Sequence, residues 1–131
     1  MFLGLLSPDE KSAFVALAEK MIDADGIVVP SESAALASLR QEVGMGGSEA
    51  SEETDIATLA QTFASRRSRV VALLELMGLG YSDTRFSIDE RSLVSLLAHE
   101  MEVDAAELAK LEAWVKQHVA HVETALKLMQ G

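Results

Sequence analysis

One short acidic pattern occurs twice in this chain, and its repetition limits the folds that the chain can adopt. Glu32 follows Asp25 by seven positions. The same spacing returns 58 residues later, where Glu90 follows Asp83 by seven positions. The apolar residues after each glutamate also match in type and spacing. A pattern that recurs in this way is typical of a doubled supersecondary unit. We therefore expect two helix–acidic turn–helix repeats.

Apolar residues recur every three or four positions through most of the chain, which is typical of amphipathic helices. Two such stripes are expected to be buried: Phe14, Leu17, Ala18 and Met21 in the first helix, and Ile56, Leu59, Ala60 and Phe63 in a later one. Ser7 followed by Pro8 predicts the start of the first helix. Ser87 and Glu90 have the spacing of a capping box, which predicts another helix start. No segment alternates with the period of two that a half-buried strand would show. The sequence therefore predicts an all-α single domain of about six helices.

The expected boundaries follow from the turn residues between the apolar segments. Gly78 and Gly80 are expected to end the helix that begins at Arg66, after Met77. The long last helix is expected to pack across both repeats, because its apolar positions continue without a break to Met129. The predicted units are repeat one at about 8–44, a linker at about 45–54, repeat two at about 66–101 and the C-terminal helix at about 104–129.

Composition and charge exclude several classes of function. The chain has 131 residues, with 21 acidic against 11 basic side chains and a net charge of −10. This balance argues against a nucleic-acid partner, because phosphate binding relies on a basic face. The lack of cysteine excludes disulfides and thiolate zinc sites. No apolar run approaches the roughly 20 residues of a transmembrane segment, and no signal peptide is evident. We expect a cytoplasmic protein.

The acidic turns have the chemistry of a cation site. Hard divalent cations such as calcium take oxygen ligands, and carboxylates that converge on a short loop supply them. Crowded carboxylates also repel one another, and a bound cation would relieve that repulsion. The expected metal ligands are Asp23, Asp25 and Glu32 at the first turn and Asp83 and Glu90 at the second, with Glu19 and Glu75 reaching in from the preceding helices.

An EF-hand-like calcium sensor is the first alternative, and it fits only in part. Asp23, Asp25 and Glu32 fall on ligand positions of the EF-hand loop. Met21, however, stands where that loop needs its first aspartate, and in the second turn Thr84 stands where it needs glycine. The EF-hand is therefore the weaker explanation of these turns.

The motifs resemble those of the tellurite-resistance TerB family, whose fold is shared with the N-terminal region of a membrane-anchored DnaJ-like co-chaperone. The resemblance lies in the alanine-rich segment Ala18–Ile27 with its Ala-Asp-Gly turn, and in Glu32 with the residues after it. The second half, from Asp83 to Glu90 and on through Leu97, resembles the second copy of the family. The resemblance as a whole covers about residues 8–130. The chain departs from the family pattern at Thr84 and by two extra residues in the second copy.

This resemblance implies a non-enzymatic, all-helical module that binds a divalent cation through its acidic turns. It implies a role in metal or oxyanion stress response in the bacterial cytoplasm, peripheral to the inner membrane, with membrane-associated stress-response proteins as partners. The sequence shows no nucleophile beside a base and no cofactor motif. A metal-dependent hydrolase that uses the same carboxylates remains a second alternative.

Simpler interpretations compete with these sites. Glu90 and Glu32 each lie near a helix start, where a glutamate can cap the helix without any metal. Arg66, Arg67 and Arg69 form the only basic cluster, which we interpret as a solvated helix face that balances nearby glutamates. The pair His118 and His121 lies on the last helix without a matched third ligand, so it is interpreted as incidental. Trp114 and Phe63 are expected to line the core or a groove.

Overall fold

The computed structural model describes residues 2–23, 37–38, 41, 55–81 and 87–130. Within these ranges it contains helices and no strand. A short 3-10 helix, Leu3–Leu5, precedes five α-helices: α1 (Pro8–Asp23), α2 (Ile56–Thr62), α3 (Arg66–Tyr81), α4 (Ile88–Glu100) and α5 (Ala105–Gln130). The all-α prediction is confirmed.

The second helix of predicted repeat one, which follows the first acidic turn, lies mostly outside the described residues. Ala37, Ser38 and Gln41, which belong to it, are helical and exposed. The predicted linker at about 45–54 is also outside the described ranges. The described part of the chain therefore contains five α-helices with assigned bounds, one 3-10 turn and these three residues of a further helix.

Both predicted helix starts are confirmed, and both are closed by a serine–glutamate pair. At the start of α1, the Glu10 backbone N donates to Ser7 Oγ (3.2 Å), and the Ser7 backbone N donates to Glu10 Oε1 (2.8 Å). At the start of α4, the equivalent bonds join Glu90 to Ser87 at 3.1 and 2.9 Å. Each pair satisfies backbone donors that a helix N-terminus otherwise leaves unpaired.

Among the described helices, α1, α2, α3 and α4 supply most of the core. Helix α1 packs against α2, α3 and α4, and α2 also packs against α4. The apolar stripe expected on α1 is fully buried, and so are Leu59, Ala60 and Phe63 from the end of α2. Ile56, expected in the same stripe, is only partly buried. The largest completely buried side chains are Phe14, Leu17, Met21, Leu59, Phe63, Leu73, Leu76, Met77, Leu97 and Met101, with Leu3 from the N-terminal segment.

The expectation that Gly78 and Gly80 end the helix that begins at Arg66 is wrong, because this helix, α3, continues to Tyr81. Two glycines in a helix interior cost about 1 kcal/mol each relative to alanine. Tertiary contacts offset this cost: Met77 and Gly80 are buried, and the Tyr81 hydroxyl accepts a hydrogen bond from Arg91 Nη2 on α4 (2.9 Å). Packing of the last turn therefore overrides the local preference.

Helix α5 packs against α3 and α4, which both belong to the second predicted repeat, and the expected packing across both repeats is not seen among the described helices. Of its predicted apolar stripe only Val115 is buried, whereas Val122, Leu126 and Met129 are 45%, 52% and 79% exposed. The Nζ of Lys116 lies 5.9 Å from the Tyr81 ring centre, at the end of α3. Beyond Lys116, α5 extends past the end of α3, the helix on which it packs.

Candidate functional site

The predicted metal ligands are only partly within the described residues. Asp25, Glu32 and Asp83 lie outside them. Asp23 is the last residue of α1, and its side chain is exposed. A carboxylate at the C-terminal end of a helix faces the negative end of the helix dipole, which is unfavourable unless a cation is nearby. Asp23 lies at the start of the predicted first acidic turn, where a bound cation would add to the favourable charge that Lys20 already brings to the last turn of α1.

Glu90 has a different environment from Asp23. It is only 4% exposed, and its carboxylate accepts from the Ser87 backbone N. This is the capping role that the sequence left open as an alternative, and it accounts for Glu90 without a metal ion. The cap weakens the prediction of a metal site at the second turn, and the corresponding residue of the first turn, Glu32, lies outside the described residues.

The two glutamates expected to reach in from preceding helices lie on α1 and α3. Glu19 is partly exposed, one turn before Asp23. Glu75 accepts a hydrogen bond from the backbone N of Phe2 (2.7 Å) on its Oε1. Glu75 therefore holds the N-terminal segment on α3, a role that the sequence did not indicate because the two residues are far apart in the chain.

Within the described ranges, no three His, Asp or Glu side chains converge in an arrangement that could hold a metal ion. That set does not include Asp25, Glu32 or Asp83. The cation site therefore stays a prediction, and Asp23 is its one described, exposed member.

A buried carboxylate that the sequence did not single out lies at Glu10. Besides its capping bond to Ser7, Glu10 Oε2 accepts from the Ala64 backbone N (3.4 Å). Burial raises the pKa of Glu10, but hydrogen bonds from Ser7, Ser68 and Ala64 together outweigh it and hold that pKa below its ordinary value. Glu10 thus joins the start of α1 to the corner between α2 and α3. The three-residue spacing from Ser7 to Glu10 is a local signal that could have predicted the cap, whereas nothing local indicates the bond to Ala64.

The arginine cluster is not simply a solvated face. Arg69 is partly buried, and its Nε donates to the Phe63 carbonyl oxygen (2.9 Å). Its Nη1 donates to the carbonyl oxygen of Met101 (3.4 Å). These two carbonyls lie at the C-terminal ends of α2 and α4. The interpretation of Arg69 as a surface charge is corrected: the residue binds two helix ends that have no intrahelical donor.

The other two arginines of the cluster, Arg66 and Arg67, are exposed at the surface. Arg66 forms an ion pair with Glu107 on α5. Arg67 is exposed and forms no ion pair with a carboxylate of the described ranges. Only part of the cluster therefore fits the expected solvated face.

The two histidines on α5, His118 and His121, have different surroundings. The His118 ring stacks on Trp114, with ring centres 5.2 Å apart and an interplanar angle of 7°. Trp114 also packs beside Phe2, at 5.9 Å between ring centres, and is 40% exposed, so it does not belong to the buried core. His121 is exposed. Aromatic packing therefore accounts for His118 without a metal.

Comparisons with known proteins do not identify a relative. No protein-family model matches the chain, and no curated protein or solved structure is significantly similar to it. Among the described residues, no helix is both long and apolar enough to cross a membrane. The likeness to the TerB family therefore depends on the sequence motifs alone.

Proposed function

We propose that this protein is a TerB-like, non-enzymatic interaction module that binds a divalent cation, calcium before others, at its first acidic turn. Asp23 carries this proposal: it is an exposed carboxylate at the end of α1, two residues before Asp25 and nine before Glu32 in the repeated motif. Carboxylates at this spacing on a turn supply the oxygen ligands and the charge that calcium requires.

The charge of the whole chain supports a cation at this position. Because the net charge is −10, like charges repel one another across the folded protein, and clustered carboxylates add to that repulsion. A bound divalent cation would lower this cost and would offset the unfavourable end of the α1 dipole beside Asp23. A hydrogen-bond cap such as that of Glu90 is not an alternative for Asp23, because Asp23 lies at the C-terminal end of its helix.

The second turn is proposed to bind more weakly. Glu90 is committed to the capping box of α4, which leaves Asp83 as the other predicted ligand. Recruiting the Glu90 carboxylate to a metal would break the bond from the Ser87 backbone N. A stress-response assembly at the inner membrane, reached through a protein partner in the cytoplasm, is the setting that the TerB resemblance implies, and we propose it for this chain.

Thermal unfolding tests the cation site. A cation that binds only the folded state raises stability by about 2.7 kcal/mol at a hundredfold excess over its dissociation constant. For a domain of this size the melting temperature should rise by several degrees, at roughly 2–8 °C per kcal/mol. We expect this rise on adding millimolar calcium in place of a chelator. The double variant Asp25→Asn, Glu32→Gln should abolish most of it.

The matched control removes two carboxylates elsewhere. Glu100 and Glu123 are exposed on α4 and α5, and the variant Glu100→Gln, Glu123→Gln should keep the calcium response. Equal melting temperatures in calcium and chelator, with magnesium and manganese no better, would contradict the cation site. Hydrolysis of phosphoester or ester substrates that is lost in Asp25→Asn would instead show an enzyme and contradict the non-enzymatic proposal.

A further inference from the structure

An open apolar groove lies between the N-terminal segment, α3 and α5. Its volume is about 550 Å³. This is within the range of about 300–1,000 Å³ for small-molecule sites, which are mostly apolar with a few polar groups. Leu5, at its rim, is 49% exposed although it is a large apolar side chain. The apolar walls are formed by Phe2, Leu5, Val70, Val71, Leu74 and Leu111.

Positive charge is concentrated on one side of this groove. Arg66 and Arg67, at the start of α3, complete its lining. Arg66 is neutralised in part by Glu107, whereas Arg67 is exposed and pairs with no described carboxylate. A guanidinium beside an apolar surface is suited to a carboxylate, which it can bind through two parallel hydrogen bonds.

We propose that this groove binds a single-chain amphiphile with an anionic head group, such as a free fatty acid. The acyl chain lies along the apolar wall formed by Leu5, Leu74 and Leu111, and the carboxylate meets Arg67 with help from Arg66. Charge complementarity selects this occupant. The protein as a whole carries −10 and attracts cations, so a preference for an anion can come only from the local arginines.

The test compares three ligands with the same chain and different head groups: dodecanoate, dodecanol and dodecyltrimethylammonium. The two ions are kept below their micelle concentrations and dodecanol below its solubility limit. Trp114 is the only tryptophan, and its ring contacts Phe2 in the groove wall, so its fluorescence reports occupancy. Titrations contain a chelator, which prevents calcium soaps and separates this site from the proposed cation site. We expect dodecanoate to bind about tenfold more tightly than dodecyltrimethylammonium.

Two variants test the head-group contact and the acyl-chain contact separately. Arg67→Gln should weaken dodecanoate about tenfold, since a charge-assisted hydrogen bond is lost, and should leave dodecanol unchanged. Leu5→Gln, at a half-exposed position that the core does not need, should weaken dodecanoate and dodecanol alike. Lys127→Gln is the matched control, because Lys127 is an exposed cation near the far end of α5. It should change neither affinity.

Several outcomes would overturn the proposal. They are equal affinity for the three ligands, tighter binding of the cationic amphiphile, or affinities unchanged by both Arg67→Gln and Leu5→Gln. Flotation with phosphatidylglycerol vesicles in the absence of dodecanoate binding would show a membrane surface as the occupant. A dimer in sedimentation experiments that dissociates in Leu5→Gln, again without dodecanoate binding, would show that a second copy covers the groove.

Discussion

The Nε of Arg69 donates a 2.9 Å hydrogen bond to the carbonyl oxygen of Phe63, the C-cap residue directly after α2. The same guanidinium donates from Nη1 to the carbonyl oxygen of Met101, the C-cap residue directly after α4. One positive charge therefore serves two helix C-termini, where carbonyl groups lack intrahelical donors and the dipole is negative. Two helices that are distant in sequence are held together at one corner of the core.

Loss of this guanidinium should destabilise the fold. We expect Arg69→Ala to lower the free energy of unfolding by about 2 kcal/mol, since hydrogen bonds to charged groups contribute roughly 1.5–3 kcal/mol. Urea denaturation followed by circular dichroism measures this. Arg67→Ala, on the exposed side of the same helix, should stay within about 0.5 kcal/mol of the parent chain. Indistinguishable urea midpoints for the two variants would show that the Arg69 contacts contribute nothing.

The pKa of Glu10 predicts a specific loss of stability in acid. Because that pKa is lowered in the folded state, the stabilisation is fully present above the unfolded value of about 4.3. It is lost as the pH falls from there through the folded value. In Glu10→Gln the free energy of unfolding should fall less steeply over this acid range. Parallel pH profiles for the parent chain and Glu10→Gln, measured by urea denaturation, would contradict the role of Glu10.

Glu102 should be a site where glycine stabilises the protein. Its φ is 62°, in the left-handed region. Its backbone N donates to His99 O (3.1 Å), and the Val103 backbone N donates to Ala98 O (2.8 Å), which together form a Schellman motif after α4. A non-glycine residue in this conformation costs roughly 1–2 kcal/mol, partly offset by the larger unfolded-state entropy of glycine.

We therefore expect Glu102→Gly to raise the free energy of unfolding by about 0.5–1 kcal/mol, measured by thermal or chemical denaturation. Glu102→Ala serves as the control, because it removes the same carboxylate but keeps the strained backbone. If Glu102→Ala stabilises the chain as much as Glu102→Gly does, the gain comes from charge and not from the left-handed conformation.

Gly78 offers a second stabilising change. It lies inside α3, and a Cβ built at this position would meet no atom within 4 Å. Gly78→Ala should therefore stabilise the protein by about 0.5–1 kcal/mol, through the higher helix propensity of alanine. Calorimetric melting temperatures measure the gain. A lower melting temperature would mean that α3 needs the flexibility of glycine near its end.

Local signals were sufficient for the helix starts. Ser7 with Pro8, and Ser87 with Glu90, each lie within a few residues of the helix that they start, so α1 and α4 begin where the sequence predicts. For the candidate metal site, the sequence identified only a set of carboxylates. Whether a glutamate such as Glu90 binds metal or caps a helix depends on where its oxygens point, and spacing alone does not distinguish the two.

By itself, the amino-acid sequence determined the helical class, the helix starts and the buried faces of α1 and α2, because periodicity and capping act within a few turns. Only the tertiary structure decided that α3 continues past Gly78, since the docking of Tyr81 against Arg91 outweighs glycine's weak helix propensity. It also decided that Arg69 is bound to Phe63 and Met101, and that the apolar stripe of α5 ends in solvent beyond Val119. Each of these three features depends on which helices meet in space. The apolar stripe of a helix shows which face can be buried, but it does not show how far the partner helix extends.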